Sequence, residues 1–304
     1  MQKKVVLFIA GFLFFLNVIC WQEFFALAGP QNLKVDFLNV GQGDSEFIQT
    51  PEGHKILIDG GPDSTVLSKL SSLLPFWDRS IDLVILTHPE SDHMQGILDI
   101  LPKYNVKYFL WTGVVKDAPE YKQLITLLQK AGNGQNSLLA SLSNSGYLLG
   151  RTKVLYASAG EEIKAGSVLI DTLFPFKSLE GFKLTASAND TCVVSKIIYG
   201  KESFLFTGDI DSAAEKQLVN SGENISANVL KVAHHGSKYS TSDLFLAAVA
   251  PKIAVIEVGK NTYGHPTPEA LQRLQEFGIK IFRTDQDGDV EFVSDGNNIK
   301  LLKN

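Results

Sequence analysis

Short apolar runs that alternate with amphipathic helical patterns from Leu33 onward predict an α/β protein in which helices cover sheets. Three observations carry this expectation. The apolar runs have strand length and sit between turn-forming residues. Helical patterns fill the gaps in both halves of the chain. No linker or internal repeat divides it. With 304 residues, 44% of them hydrophobic and 20% charged, the chain has globular composition and can bury a sizeable core. The formal net charge of -5 gives no global basic character, so composition does not advertise nucleic-acid binding.

The first thirty residues stand apart from this pattern. Lys3 and Lys4 precede an apolar stretch over 5–19, broken only by Asn17. Fifteen helical residues cover roughly 22 Å, short of the ~30 Å hydrocarbon core of a bilayer. Trp21, Gln22 and Glu23 follow, and then Ala26-Leu27-Ala28 before Gly29-Pro30. A basic start, an apolar middle and a small-residue site describe either a secretory signal peptide or an uncleaved membrane anchor over residues 1–29. Both readings put residues 30–304 outside the cytoplasm, secreted or anchored to the cell membrane. Cys192 is the one cysteine in that part, so no internal disulfide framework is expected, and it reads as a small core residue.

Strands are expected over 34–40, 46–50, 55–58, 81–87 and 106–111, then over 168–174, 191–199, 203–207, 229–233, 253–258 and 280–283. Helices are expected over 64–74, 94–101, 119–130, 212–220, 243–249 and 268–277. Ser212 and Ser242 suit N-caps, Glu215 fits a capping box with Ser212, and Pro268 suits a first helical turn. Residues 132–146, rich in Gly, Asn and Ser, read as a loop.

The chemistry-bearing residues collect where strands end. Five of the six histidines fall in three polar clusters: "THPESDH" (87–93), "HHGS" (234–237) and "YGHP" (263–266). Asp59 in "ILIDGG" and Asp209 in "FLFTGD" occupy similar positions. Taken singly, each aspartate reads as a cap and each histidine as a loop residue. Five polar strand exits on one chain exceed what core packing explains, and α/β proteins build sites at such edges.

His88, Glu90, Asp92 and His93 form a pattern similar to H-x-H-x-D-H, the metal-binding signature of the metallo-β-lactamase superfamily, with Glu90 in the place of the second histidine. "FLNVGQGDS" (37–45), "ILIDGG" (56–61), "FLFTGD" (204–209), "LKVAHHGSKYST" (230–241) and "NTYGHPTPEAL" (261–271) resemble, in the same order, the soluble metallo-β-lactamase-like domain of the ComEC competence proteins. That resemblance implies a four-layer αββα sandwich over residues 30–304, preceded by the N-terminal hydrophobic helix. It implies metal ligation by His88, Glu90, Asp92, His93 and Asp209, with Asp209 as the bridging aspartate, and by members of the set His234, His235 and His265, which the resemblance leaves divided between metal and substrate. Asp92, Asp209, His235 and His265 are the implied catalytic groups. Asp44 of the opening motif is implied to lie close to the site, and Asp59 to orient a ligand.

Two departures from the superfamily pattern bear on the metal. Glu90 replaces a histidine, and "SANDTC" stands where the mid-chain histidine is expected, so Asn189 or Asp190 fills that place or leaves it open. Both changes replace nitrogen with oxygen, which shifts preference from Zn²⁺ toward a harder ion such as Mn²⁺. One or two divalent ions are therefore expected. Two cations about 3.5–4 Å apart neutralise a phosphodiester and activate water for in-line attack, while Ser237 and Lys238 are placed to steady phosphate oxygens. The expected activity is a phosphodiesterase or nuclease on DNA, with a separate competence channel protein as a partner. Hydrolysis of a lactam, lactone or thioester is the alternative within the family, and a non-catalytic metal-stabilised binding module the alternative outside it.

Overall fold

The computed structural model describes residues 2–28, 32–131, 152–184 and 187–303. The loop expected over 132–146 lies outside the described residues. At the N-terminus, α1 (Gln2–Ala28) is one continuous helix, longer than the apolar stretch alone suggests, and residues Lys3–Trp21 are long and apolar enough to cross a membrane.

The rest is a sandwich. Strands β1 (Leu33–Phe37), β2 (Glu46–Gln49), β3 (Lys55–Ile58), β4 (Ser80–Ile85), β5 (Asn105–Trp111) and β6 (Lys153–Tyr156) lie in the first sheet. β7 (Glu162–Ala165), β8 (Val168–Phe174), β9 (Val194–Tyr199), β10 (Glu202–Phe206), β11 (Val229–Lys231), β12 (Ile253–Ile256) and β13 (Lys280–Arg283) form the second. The chain then returns to the first sheet with β14 (Val290–Ser294) and β15 (Ile299–Lys303). The orders are β15-β14-β1-β2-β3-β4-β5-β6 and β13-β12-β11-β10-β9-β8-β7.

Three apolar layers explain why the strands stack this way. Between the sheets, Val35, Phe37, Ile58, Ile85, Phe204, Phe206 and Phe292 form one buried cluster, with Phe37 stacked on Phe206 at 5.8 Å and edge-on to Phe292 at 5.9 Å. Outside the first sheet, α2 (Thr65–Leu73), α3 (Ser91–Ile100) and α4 (Pro119–Ala131) bury Val66, Leu70, Ile97 and Leu124 with Phe109 and Trp111. Outside the second, α5 (Ser212–Asn220), α6 (Asp243–Val249) and α7 (Pro268–Glu276) bury Leu218, Phe245, Leu246 and Leu274 with Leu205 and Leu230. The short α8 (Thr284–Asp287) leads into β14. The result is the αββα sandwich.

Strand direction brings the polar clusters together. β3, β4 and β5 are parallel, as are β10, β11, β12 and β13, so the carboxyl ends in each set share an edge. Two glycines let the loops there close in. A Cβ at Gly96 in α3 would collide with the Gly60 carbonyl, and one at Gly43 with the Asp92 carbonyl, so only glycine lets α3 sit against both loops. The caps differ from expectation at one helix. Asp211 caps α5, accepting from Ala213 N and Ala214 N, while Glu215 reaches forward to accept from the backbone of Thr241 and Ser242. Ser242 caps α6 and Pro268 opens α7, as the sequence suggests.

Candidate metal centre

β4 ends at Ile85, and Leu86, Thr87 and His88 lead into α3, whose first turn holds Asp92 and His93. Asp59, after β3, organises this segment. Its Oδ1 accepts from Thr87 N at 2.8 Å, and its Oδ2 accepts from Thr87 Oγ1 at 2.6 Å and faces His93 Nδ1 at 2.7 Å. The Thr87 hydroxyl spends its one proton on Asp59, so the 3.1 Å contact to His88 Nδ1 requires the ring nitrogen to donate. One carboxylate thus fixes the tautomers of two histidines and leaves Nε2 of each turned away from it. Asp59 itself holds φ +53, a left-handed conformation that costs a non-glycine residue energy and marks a constrained position.

The second sheet supplies the other half. Asp209, in the loop after β10, receives its backbone N–H bond geometry from Cys192, whose Sγ accepts at 3.3 Å. Its Oδ2 lies 3.4 Å from His93 Nε2, 3.6 Å from His235 Nε2 and 3.9 Å from His234 Nε2. His234 and His235 follow β11 with φ +50 and +51, two consecutive strained residues held by their surroundings. His235 Nδ1 donates to the Glu257 carbonyl at 2.8 Å, and its Nε2 faces Asp92 Oδ2 at 3.4 Å. Between the halves lies Lys231, fully buried at the end of β11. It pairs with Asp44, lies 3.7 Å from Asp209 Oδ1 and donates to the Gly208 carbonyl at 3.1 Å.

The electrostatics follow from this crowding. Burial opposes charge on His93, but the carboxylates of Asp209, Asp44 and Asp59 outweigh it and raise its pKa well above the usual histidine value. His235, likewise buried, is pushed up to about 10 by Asp209 and Asp44. His88 goes the other way: burial and the neighbouring His93 hold it at about 3, so it is neutral. Asp92 and Asp209 lie below the carboxylate range despite burial, through His235 and His93.

These residues suit a cation. Ligand atoms of Asp92, His93, Asp209 and His235 all lie within 4.8 Å of one another. His88 Nε2, His93 Nε2, His235 Nε2 and Asp209 Oδ1 are buried without a hydrogen-bond partner, a costly arrangement that a metal relieves. The imidazole and carboxylate mixture accommodates Zn²⁺ or Mn²⁺.

Other expected residues sit differently. Glu90 leaves the cluster: its Oε2 pairs with Lys116 Nζ at 2.8 Å. Asn189 Nδ2 lies 3.2 Å from His234 Nδ1, whereas Asp190 is exposed. His265 is half-buried, its ring 5.4 Å from that of His234. Ser237 is buried with its Oγ accepting from Tyr239 N, and Lys238 is exposed with its ammonium over the Tyr239 ring. Lys231 and Glu257 escaped the sequence reading. Their signal was a charged residue inside an apolar strand, as in "VLKVA" and "AVIEV".

An αββα sandwich with a His/Asp cluster at its strand exits defines a metal-binding class of hydrolase folds. The family model described as the metallo-β-lactamase superfamily matches residues 38–259, and the chain belongs to that superfamily. ComE operon protein 3 of Bacillus subtilis (strain 168) is 30% identical over 85% of this chain and 33% of its own length. Competence protein ComA of Neisseria gonorrhoeae is 28% identical over 87% of this chain and 33% of its own length. The chain therefore spans about a third of these curated relatives. Among solved structures, the metallo-β-lactamase fold protein YhfI of Bacillus subtilis matches with a TM-score of 0.53 at 15% identity, over 86% of this chain and 100% of that one.

Proposed function

We propose that this protein is a metal-dependent phosphodiesterase, a nuclease that cuts DNA outside the cytoplasm. The observation that carries the reading is the convergence of Asp92, His93, Asp209 and His235 within 4.8 Å, with His88 Nε2 buried and unpartnered beside them. Relatives named for competence support DNA over a lactam, lactone or thioester. A separate membrane channel protein is the partner in this reading, in keeping with relatives named for competence.

His88, Asp92, His93, Asp209 and His235 would hold one or two Mn²⁺ or Zn²⁺ ions, and Glu90 could join them only by giving up its bond to Lys116. Such an ion would supply the positive charge that a phosphodiester's oxygens need and would lower the pKa of water toward neutral. The chain's own contribution is positional. Asp59 keeps the Nε2 atoms of His88 and His93 directed inward, and the Glu257 carbonyl does the same for His235. His265, half-buried beside His234 with its Nδ1 turned inward and unpartnered, is the histidine nearest the rim that could pass a proton from its ring to the leaving oxygen. Exposed Lys238 offers a cation to the incoming backbone.

The test is a panel: full-length protein with single-stranded DNA, RNA, a chromogenic phosphodiester and a β-lactam, each with Mn²⁺ or Zn²⁺. Cleavage of DNA and the phosphodiester, abolished in Asp209→Ala, is expected. β-Lactam turnover alone would move the protein to the other hydrolase reading. Metal binding without turnover of any substrate would make it a binding module.

A further inference from the structure

Phe76 and Trp77 are 79% and 73% exposed, their ring centroids 4.8 Å apart in an edge-to-face pair. Single exposed aromatics are ordinary on a protein surface. An adjacent pair on a braced turn calls for a partner. Asp78 N donates to the Pro75 carbonyl at 2.9 Å, and the Asp78 carboxylate pairs with Lys55 at 2.6 Å and accepts from Ser80 Oγ at 2.8 Å. Arg79 donates to Tyr104 Oη at 2.8 Å and lies over its ring. These bonds fix the turn while leaving both rings in water.

The location of the turn identifies the partner. β1 and β3 are each antiparallel to β2, and β3 is parallel to β4, so β1, β3 and β4 run in one direction. Their ends carry the metal centre. Their starts, including the Phe76–Trp77 turn just before β4, lie at the opposite edge. Three strand spacings separate the starts of β1 and β4, about 14 Å. α1 ends at Ala28 and β1 begins at Leu33, a step the chain spans in at most about 18 Å. The apolar part of α1, Lys3–Trp21, is long and apolar enough to cross a membrane, and none of its residues is buried.

We propose that Phe76 and Trp77 insert into the headgroup region of a lipid bilayer crossed by α1. The sandwich then rests on the membrane with its metal centre facing away. Aromatic side chains favour that interfacial depth, and the short tether keeps this edge within reach of it. The inference rests on α1 being retained as an anchor.

The experiment is fluorescence quenching of the full chain in phosphatidylcholine–phosphatidylglycerol vesicles, with brominated phosphatidylcholine as quencher. Trp21, Trp77 and Trp111 are the three tryptophans, and buried Trp111 gives the unquenched baseline. Trp77→Phe isolates Trp21, and Trp21→Phe isolates Trp77. Quenching in both variants, with Trp21→Phe/Trp77→Phe falling to the Trp111 baseline, is the expected result. Quenching of Trp21 without Trp77 overturns the inference and leaves the anchor standing. No quenching of Trp21 removes the anchor and the inference together. A cross-linked dimer that depends on Trp77, with no quenching of that residue, assigns the pair to a second copy of the chain and also overturns it.

Discussion

Asp59 and Glu90 are carboxylates at neighbouring strand exits, yet they are held in opposite ways. Asp59 is fully buried, accepts two hydrogen bonds from Thr87 and faces His93 at 2.7 Å. Glu90 has a side chain 36% exposed and one ionic partner, Lys116. The same contrast separates the interior of the site from its rim. Asp44, Lys231, His93 and His235 are locked among one another, whereas Glu90, His234, His265 and Lys238 keep contact with solvent. Interior geometry is thus set by the fold before any ligand arrives. The rim side chains, reached by solvent and held by few bonds, remain adjustable.

The sharpest break in that contrast is Lys231. Among the described residues its ammonium is the one permanent cation placed against Asp44 and Asp209, and removing one partner of a buried ion pair strands the other charges. Lys231→Met is expected to cost about 3–5 kcal/mol in denaturant unfolding of the metal-free protein. Part of that loss should return when metal is added. A cost below about 1 kcal/mol would show that the interior is less rigidly charged than its geometry says.

Metal removal comes next. A ligand at a hundred times its Kd stabilises by about 2.7 kcal/mol, so chelation should lower the melting temperature. The size of that drop depends on pH. His235 has its pKa raised to about 10, so in the metal-free protein its charged form stabilises the fold fully below the ordinary histidine value. That stabilisation is lost as pH rises through about 10. Metal must also displace this proton, so its affinity rises over the same window. The metal-free protein loses this stabilisation as pH rises while the metal-loaded protein does not, so the gap between them widens from pH 7 to pH 9. A gap that stays level would mean that His235 is not a ligand.

Asp59→Asn tests orientation without altering size. The amide keeps the Thr87 contact but no longer attracts the His93 proton, and loss of such a supporting carboxylate typically costs 10–100-fold in metal affinity, about 1.4–2.8 kcal/mol. Calorimetric titration should show this with an unchanged fold. An affinity within twofold of the parent protein would place the control of His93 elsewhere.

The interior was also the better part of the site to read from sequence. Asp59, Asp209 and His235 follow apolar strands within a few residues, and Asp92 and His93 open the helix after β4, so local pattern marks all five as lying near strand exits. Lys231 was hidden because a single lysine in "VLKVA" carries no sign of which way it points; the pairing of β11 between β10 and β12 decides that. Strand detection failed for the same kind of reason. β7 reads Glu-Ile-Lys-Ala and is mostly exposed at a sheet edge, so its apolar signal is weak. β14 alternates well, but its place between β1 and β15 depends on residues some 250 positions away, such as the bond from Asn39 N to Asp289.

At the rim the expected effects are smallest, and they decide what Glu90 does. Its bond to Lys116 is a partly exposed ion pair, worth about 0–1 kcal/mol. If Glu90 swings inward to ligate, metal binding must first break that pair. Lys116→Met would then raise metal affinity by up to about fivefold, the equivalent of 1 kcal/mol. The gain should vanish in a Glu90→Gln background, because the cycle cancels the lysine's other bond, to the Pro89 carbonyl, and leaves the cost of the pair. A gain that persists without Glu90 would assign the lysine's effect to its charge near the site. A loss of affinity on removing Lys116 would mean that the lysine holds Glu90 in a useful position rather than away from one. The cycle therefore distinguishes a glutamate that has replaced a histidine ligand from one that guards the entrance.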